Sequence, residues 1–301
     1  MEQPLPTVVL APTRAEPRSA RPWMWYVGRL VRRQPLGAAG GVIVLLLILA
    51  AIFAGHLAPY HPKEAILPPY HAPTWAFVLG TDHLGRDIFS RVMWGARLSL
   101  YVGLVSVAIG VTLGALWGIT TGYFGGAADN LSQRVVDTLM AFPPLILALG
   151  LMAILQQSVH NVIVTLAILL MPTTARTLRA STLSLKETGY VESARALGAS
   201  NWRIILRHIL PNNLATYIVL FTVNVAFAIV VEAALSFLGL GAPVDEPSWG
   251  GMLNAGADAI QRAPWIALFP GLAISLTVFG LNMLGDALRD LTDVKLRGRS
   301  E

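Results

Sequence analysis

Apolar and polar residues fall along this chain in long blocks rather than in the short periods of a soluble fold. Five stretches contain no Asp, Glu, Lys or Arg: Gln34–Pro62, Leu98–Ala128, Thr138–Ala175, His208–Val231 and Ala263–Gly285. An α-helix crosses a bilayer core with about 20 mainly apolar residues. Four of the stretches suit one crossing each. Thr138–Ala175 would be roughly 57 Å long as one helix at about 1.5 Å per residue, against a core of about 30 Å. Its middle, Gln156 to Asn161, is polar and predicts a tight turn. The pattern therefore predicts an all-α integral membrane protein with six transmembrane helices, at about 36–57, 98–123, 135–155, 162–176, 213–238 and 265–284.

Local signals refine these elements. Residues 1–34 are rich in Pro and Arg, lack apolar periodicity, and are expected to be a disordered tail. The membrane domain then covers 35–295, with a short tail at 296–301. Gly110, Gly114, Gly118 and Gly122 share one face of the second span. Small residues at that spacing let helix backbones approach in lipid; a smooth wall along a translocation path is the compatible alternative. Asp129–Phe142 reads as an amphipathic helix leading into the third span, and Pro143-Pro144 kinks or restarts it. The fourth span is short and interrupted by Pro172. No internal repeat is found, so an inverted-repeat carrier has no support.

Composition agrees with the blocks. The chain of 301 residues is 54% hydrophobic and only 13% charged, where soluble domains carry about 25% charge. Basic residues set the orientation. Seventeen of the 22 Lys and Arg residues lie in the N-terminal tail, at Arg134, in the 176–207 loop and at the C-terminal end; five lie on the opposite side. Both termini and the 176–207 loop are therefore expected to be cytoplasmic. The net charge of +5 follows from this bias and calls for no nucleic acid. There is no cysteine, which excludes disulfides and thiolate metal sites. The first apolar stretch is longer than a leader's apolar region and is read as a retained span.

The 176–207 loop carries the most specific pattern. Tyr190–Leu197 reads as a short helix ending at Gly198, a residue tolerant of positive φ. Ser200 is an N-cap for a second helix, Asn201–Leu210, which Pro211 terminates. A helix–glycine–helix elbow suits docking into a pocket on a soluble partner. The stretch resembles the E-A-A loop of bacterial ABC importer permeases, with Glu192, Ser193, Ala194, Gly198, Leu210 and Pro211 at its positions. Ser193 replaces the first Ala, and His208 stands where Ile is frequent.

Further stretches are similar to the dipeptide/oligopeptide/nickel class of those permeases. Leu79 to Arg91, continuing into Gly95-Ala96-Arg97-Leu98-Ser99-Leu100, looks like its signature before the second span. Gly122–Gly126, Leu235–Gly241 and Gly285–Asp290 match the same class, so the resemblance covers about residues 35–295. It implies a type I ABC importer permease fold in the bacterial plasma (inner) membrane. It implies as partners a second permease (a longer, different sister subunit), two ATPase subunits and an external substrate-binding protein. Glu192, Ser193, Ala194, Ala196 and Gly198 are then the residues that couple to the ATPase. Glu192 either caps its helix or pairs with a basic residue of that partner, and Gly198 permits the bend.

The chain itself carries no nucleotide site. Its three lysines, Lys63, Lys186 and Lys295, lie in no G-x-x-x-x-G-K-[ST] loop. ATP and Mg are thus expected on the ATPase partners, with no cofactor or metal on this chain and no catalytic residue. Glu232, in the fifth span, either lines the path or hydrogen-bonds a neighbouring helix, the structural role being favoured, since a charge at mid-bilayer costs about 2.5–3.5 kcal/mol on insertion scales. Asp82, Arg86 and Asp87, with Arg91, suit exposed ion pairs or contact with the binding protein. His56, His61, His71 and His83 match no compact ligand pattern and read as interfacial or solvated. Trp249 and Trp265 read as interfacial anchors. The expected function is inward transport of di- or oligopeptides. The alternatives are a nickel chelate, glutathione or another small solute in the same class, and an ion-coupled carrier, for which a single intramembrane acid is poor support.

Overall fold

The computed structural model describes residues 34–65, 68–243 and 245–297. The tail expected to be disordered lies outside the described residues up to position 33, as does the C-terminal tail from position 298. The regular elements of the described chain are helices. The chain contains one isolated antiparallel bridge, Thr81 to Asp87, and among the described residues no strand. Helices α1 (Pro35–Ile52), α2 (Ala54–Leu57) and α3 (Ile88–Phe124) come first, then α4 (Gly126–Met140), α5 (Pro144–Leu155) and α6 (Val159–Lys186). The elbow follows as α7 (Gly189–Ala196) and α8 (Asn201–Ile204). One π turn, Ile205–Ile209, leads into α9 (Leu210–Phe237), and α10 (Trp249–Ala257) and α11 (Trp265–Arg297) complete the chain.

Five of these helices are long and apolar enough to cross a membrane, and six if the bent pair α4–α5 counts as one span. The pair bends by 90° at Ala141–Pro143, where proline removes an N–H and blocks continuation. The predicted turn in the long apolar run is present. Gln156 adopts φ 68°, and Ser158 caps α6 by accepting from the amide of His160.

Several helices run past their expected ends. α3 begins at Ile88, ten residues ahead of the expected span, because Asp87 caps it there. α6 does not stop at Arg176 but continues through Pro172 to Lys186. Arg176 and Arg179 extend it toward the cytoplasm, where salt bridges to α4 receive them. Pro211 does not terminate a helix either. It sits in the first turn of α9, just after the π turn has shifted the backbone hydrogen-bond register, so its missing N–H breaks no continuing ladder.

The core lies where α3, α6 and α9 pack together. The glycine stripe decides the α3–α6 contact. A Cβ built on Gly110, Gly114 or Gly118 would stand 2.6, 2.7 and 2.1 Å from the carbonyl oxygens of Ala167, Met171 and Ala175. Close packing is thus the structural role of the stripe, as small-residue spacing in lipid suggests. α1 leans on α11 in the same way, with Gly40 against Met283 and the carbonyl of Gly280. The other faces of α1 are exposed Leu36, Val42, Leu45, Leu46 and Ile52, as expected of a helix bathed in lipid.

α10 has no counterpart among the expected elements. It folds back into the external side of the bundle, where Gly250 abuts the carbonyl of Ala233 and Gly256 abuts Ala267. Trp249 is 1% exposed and its Nε1–H donates to the carbonyl of Val92 at 3.0 Å. Trp265 Nε1–H donates to the carbonyl of Thr81 at 3.3 Å. The expectation of an interfacial anchor is corrected for Trp249, which is fully buried; Trp265 is half-buried, with its indole bonded to protein backbone.

Candidate functional site

The elbow is built as its sequence suggests, with a cap at each end of the bend. Gly198 has φ 78°. The amide of Ala199 donates to the carbonyl of Ala194 at 3.1 Å, and the amide of Gly198 to that of Arg195 at 3.0 Å. These two bonds form a Schellman closure, which needs the left-handed conformation that glycine adopts freely. Ser200 Oγ then accepts from the amide of Arg203 at 3.4 Å, starting α8. One face is anchored: Val191, Ile204, Ile205 and Ile209 are buried against Ala115, Ile119, Tyr123 and Leu178 of α3 and α6. Tyr123 donates its hydroxyl to Asn201 Oδ1 at 3.1 Å, and Phe124 meets Trp202 edge-on at 5.9 Å. His208, the departure from the family pattern, lies in the π turn with its ring 6.0 Å from that of Tyr190. It ties the two arms of the elbow together.

The other face is free. Glu192, Ser193, Ala196 and Gly198 are exposed and Ala194 is half-buried. Ser193 turns its hydroxyl back to the carbonyl of Gly189 at 2.8 Å. Glu192 stands in the first turn of α7, where the helix dipole favours an acid. Sequence reasoning missed the apolar part of this face: Leu197 is 88% exposed, with Trp202 and Leu206 also exposed. Large apolar side chains in a block otherwise rich in Arg were the available signal.

Behind the elbow, α4 is clamped to α6. Arg179 donates from Nε and Nη2 to the two oxygens of Asp129, both at 2.6 Å, and Arg176 pairs with Asp137. The hydrogen bonds from Arg179 hold the buried Asp129 carboxyl below its ordinary pKa. Lys186 donates to the carbonyl of Gly122 at 3.4 Å, and Trp117 to Ser132 at 2.6 Å. The cytoplasmic ends of α3, α4 and α6 thus form one polar-bonded unit with the elbow attached.

The external signature forms a buried knot rather than exposed pairs, which corrects that expectation. Asp82, Arg86, Asp87 and Arg91 are each 4–6% exposed. Asp82 accepts from the amides of Leu84 and Arg86 at 2.8 and 2.9 Å and from Arg86 Nε at 2.8 Å. Arg91 Nε lies 3.7 Å from the same carboxylate, and its Nη1 donates to the carbonyl of Pro62 at 2.9 Å. Asp87 accepts from the amide and hydroxyl of Ser90 at 2.8 and 2.7 Å, capping α3. The spacing of the four charges suits local pairs, and spacing does not report that Pro62 and Tyr70 of the preceding loop fold against them.

Glu232 is 1% exposed in α9. Its two oxygens accept from Ser99 Oγ of α3 at 3.3 Å and from Ser236 Oγ one turn on at 2.8 Å. The carboxyl therefore joins α9 to α3. Glu232→Gln is expected to assemble normally and to leave cargo uptake within about twofold of wild type, because an amide oxygen still accepts one serine hydroxyl. Uptake by equal amounts of assembled complex checks this, and a tenfold loss would place Glu232 in contact with cargo. Among the described residues no three His, Asp or Glu side chains gather as a metal site.

Residues 110–298 match the family described as binding-protein-dependent transport system inner membrane component. Residues 22–73 match the N-terminal TM domain of oligopeptide transport permease C. The chain is 44% identical over 280 residues to the glutathione transport system permease protein GsiD of Pectobacterium atrosepticum, covering 92% of each chain. It is likewise 44% identical over 281 residues to the protein of the same name from Escherichia coli O1:K1 and from Shigella sonnei, again covering 92% of each.

Proposed function

From the chain's membership of the binding-protein-dependent transport system inner membrane components, we propose that it moves short peptides inward, as the permease subunit of an importer whose ATPase docks on the 189–210 elbow. The chain is a multi-pass inner-membrane component of an ABC importer of the dipeptide/oligopeptide class, and it is a transport subunit rather than an enzyme. Permeases of this kind work with ATPase and binding-protein partners. In the proposed assembly two ATPase subunits bind ATP and Mg, a different sister permease completes the path, and an external binding protein delivers cargo to the side that carries Asp82, Arg86 and Asp87.

The single observation that supports the mechanical reading is the two-faced elbow. Its buried face is bonded to α3 and α6, while Glu192, Leu197 and Leu206 stand free. A partner that grips the free face and moves takes the ends of three helices with it. Each step in this chain is positional: burial holds the lever, Gly198 sets its angle, and the α4–α6 clamp passes displacement into the bundle. Short peptides are the cargo class favoured by the match of residues 22–73. Glutathione, itself a tripeptide, is the specific reading favoured by the names of the relatives.

Proteoliposomes holding the complete complex test the proposal. Uptake of short peptides or glutathione is expected only with internal ATP and external binding protein. Uphill uptake by vesicles lacking the ATPase would overturn it. Gly198→Val tests the lever itself. No atom lies within 4 Å of a Cβ at this position, so the substitution adds only left-handed backbone strain, of about 1–3 kcal/mol. Folded permease is expected at normal yield, while retained ATPase or ATP-coupled uptake falls at least tenfold; unchanged uptake would refute the assigned role.

A further inference from the structure

On the external side, the loop between α2 and α3 holds up an aromatic side chain that nothing among the described residues covers. Trp75 is fully exposed, and Ala72, Pro73, Ala76 and Val78 around it are exposed too. The corner that carries it is built by hydrogen bonds. Thr74 and Phe77 exchange two backbone bonds, at 2.9 and 3.1 Å, with Trp75 and Ala76 between them. The amide of Phe77 also meets Thr74 Oγ1 at 3.3 Å. The stem below is paired: the amide of Tyr70 donates to the carbonyl of Asp82 at 3.0 Å, and that of Thr81 to the carbonyl of His71 at 2.9 Å. A corner held in this way loses little freedom when it is covered.

The corner lies level with the ends of the membrane helices. Phe77 packs its ring 6.1 Å from that of Tyr60, which follows closely on Leu57, the end of α2 and of the first crossing. The stem is moored at the start of the last crossing, where Trp265 of α11 donates to the carbonyl of Thr81. Trp75 is two Cα steps from Phe77, a reach of about 7 Å. The headgroup layer on each side of the apolar core is about 5–8 Å deep, from a core of about 30 Å within about 40–45 Å. Trp75 falls in that layer. It also stands at the lipid side of the bundle, since Phe53 and Leu57, just ahead of Tyr60, are exposed.

Charge decides what covers the corner. From Ala65 to Thr81 the sequence holds no Asp, Glu, Lys or Arg. A surface that docks a water-borne protein surrounds its apolar centre with a polar rim. Around Trp75 the rim is Pro73, Ala76 and Val78, and the one hydroxyl, that of Thr74, is bonded to the amide of Phe77. An indole suits the headgroup layer, with its apolar body toward the acyl chains and its N–H toward water. We propose that the 72–78 corner is a membrane anchor, with Trp75 seated in the headgroup layer of the external leaflet. The anchor holds the external loop, and through Thr81 and Asp82 the start of α3, at a fixed depth.

The chain has no cysteine, so Val78→Cys places one spin label beside the tip and leaves Trp75 intact. The complete complex is labelled and placed in nanodiscs of phosphatidylethanolamine and phosphatidylglycerol, with the unsubstituted complex as the blank for cysteines of other subunits. Collisions with oxygen, which concentrates in lipid, are compared with collisions with a water-soluble nickel chelate. The oxygen-to-chelate ratio is expected to exceed that of the same label free in buffer. Adding Trp75→Asp is expected to lower the ratio several-fold without loss of assembly, since the side chain packs on nothing. If that variant does not assemble, Val78→Cys alone decides. A ratio equal to that of the free label overturns the proposal, as does a high ratio that Trp75→Asp leaves unchanged. A label shielded from both reagents overturns it and gives the corner to the sister permease. A label that the chelate reaches until binding protein is added overturns it and gives the corner to that partner. The measurement uses neither cargo nor ATP, so its failure leaves the transport reading intact.

Discussion

Gly118→Leu is expected to leave no assembled permease. A Cβ at this position would stand 2.1 Å from the carbonyl oxygen of Ala175 and 2.9 Å from its Cα. The obstacle is helix backbone, so no side-chain rotation relieves it. α3 and α6 must separate, and the separation undoes their contacts at Gly110 and Gly114 as well. Overpacking in a filled core costs about 1–3 kcal/mol when side chains alone must yield; here the cost exceeds that range. Gly118→Ala already introduces the clash and is expected to lower the melting midpoint of the purified complex, with Leu abolishing its recovery. Gly150→Ala is the control: a Cβ there meets nothing within 4 Å, and normal recovery is expected. A Gly118→Leu protein that assembled and melted as wild type would refute the α3–α6 contact.

Asp82→Ala is expected to be the second severe change. It removes the shared partner of Arg86 and Arg91 from a site where all three are almost fully buried. Breaking a buried pair by deleting one member costs about 3–5 kcal/mol, because the remaining charge is stranded. The two backbone amides of Leu84 and Arg86 also lose their acceptor. The external loop, through Thr81 and its bonds to Pro68, His71 and Trp265, loses its anchor on α3. Thermal unfolding and protease sensitivity of residues 58–87 measure the effect. Asp82→Ala with Arg86→Met is expected to regain part of the loss, since one stranded charge is gone. A double variant less stable than the single would mean that charge burial is not the cause.

Much of this architecture could be read from the chain before any contact was seen. Charge-free stretches report crossings because lipid offers backbone and charge no solvation. The elbow was readable through its end signals: Gly198 and Ser200 act on neighbours within five residues, a distance over which sequence and structure coincide. The glycine stripe announced a close contact through its period alone. Its partner, the Ala167–Arg179 face of α6, carried no comparable mark. Helix lengths were legible only within lipid. Pro172 and Pro211 look like stops, yet α6 runs on through the first, and the second lies in the opening turn of α9 behind the π turn.

The sequence by itself determined the crossings, their sidedness, the membership signals and the bend at Gly198, because each depends on solvent or on near neighbours in the chain. Only the tertiary structure decided that Asp82, Arg86, Asp87 and Arg91 are buried, that α10 re-enters the bundle, that Trp249 bonds to Val92, and that Glu232 joins α9 to Ser99 of α3. Those outcomes depend on partners as far as 157 positions away in the chain, and composition and spacing carry no record of which distant segments will meet.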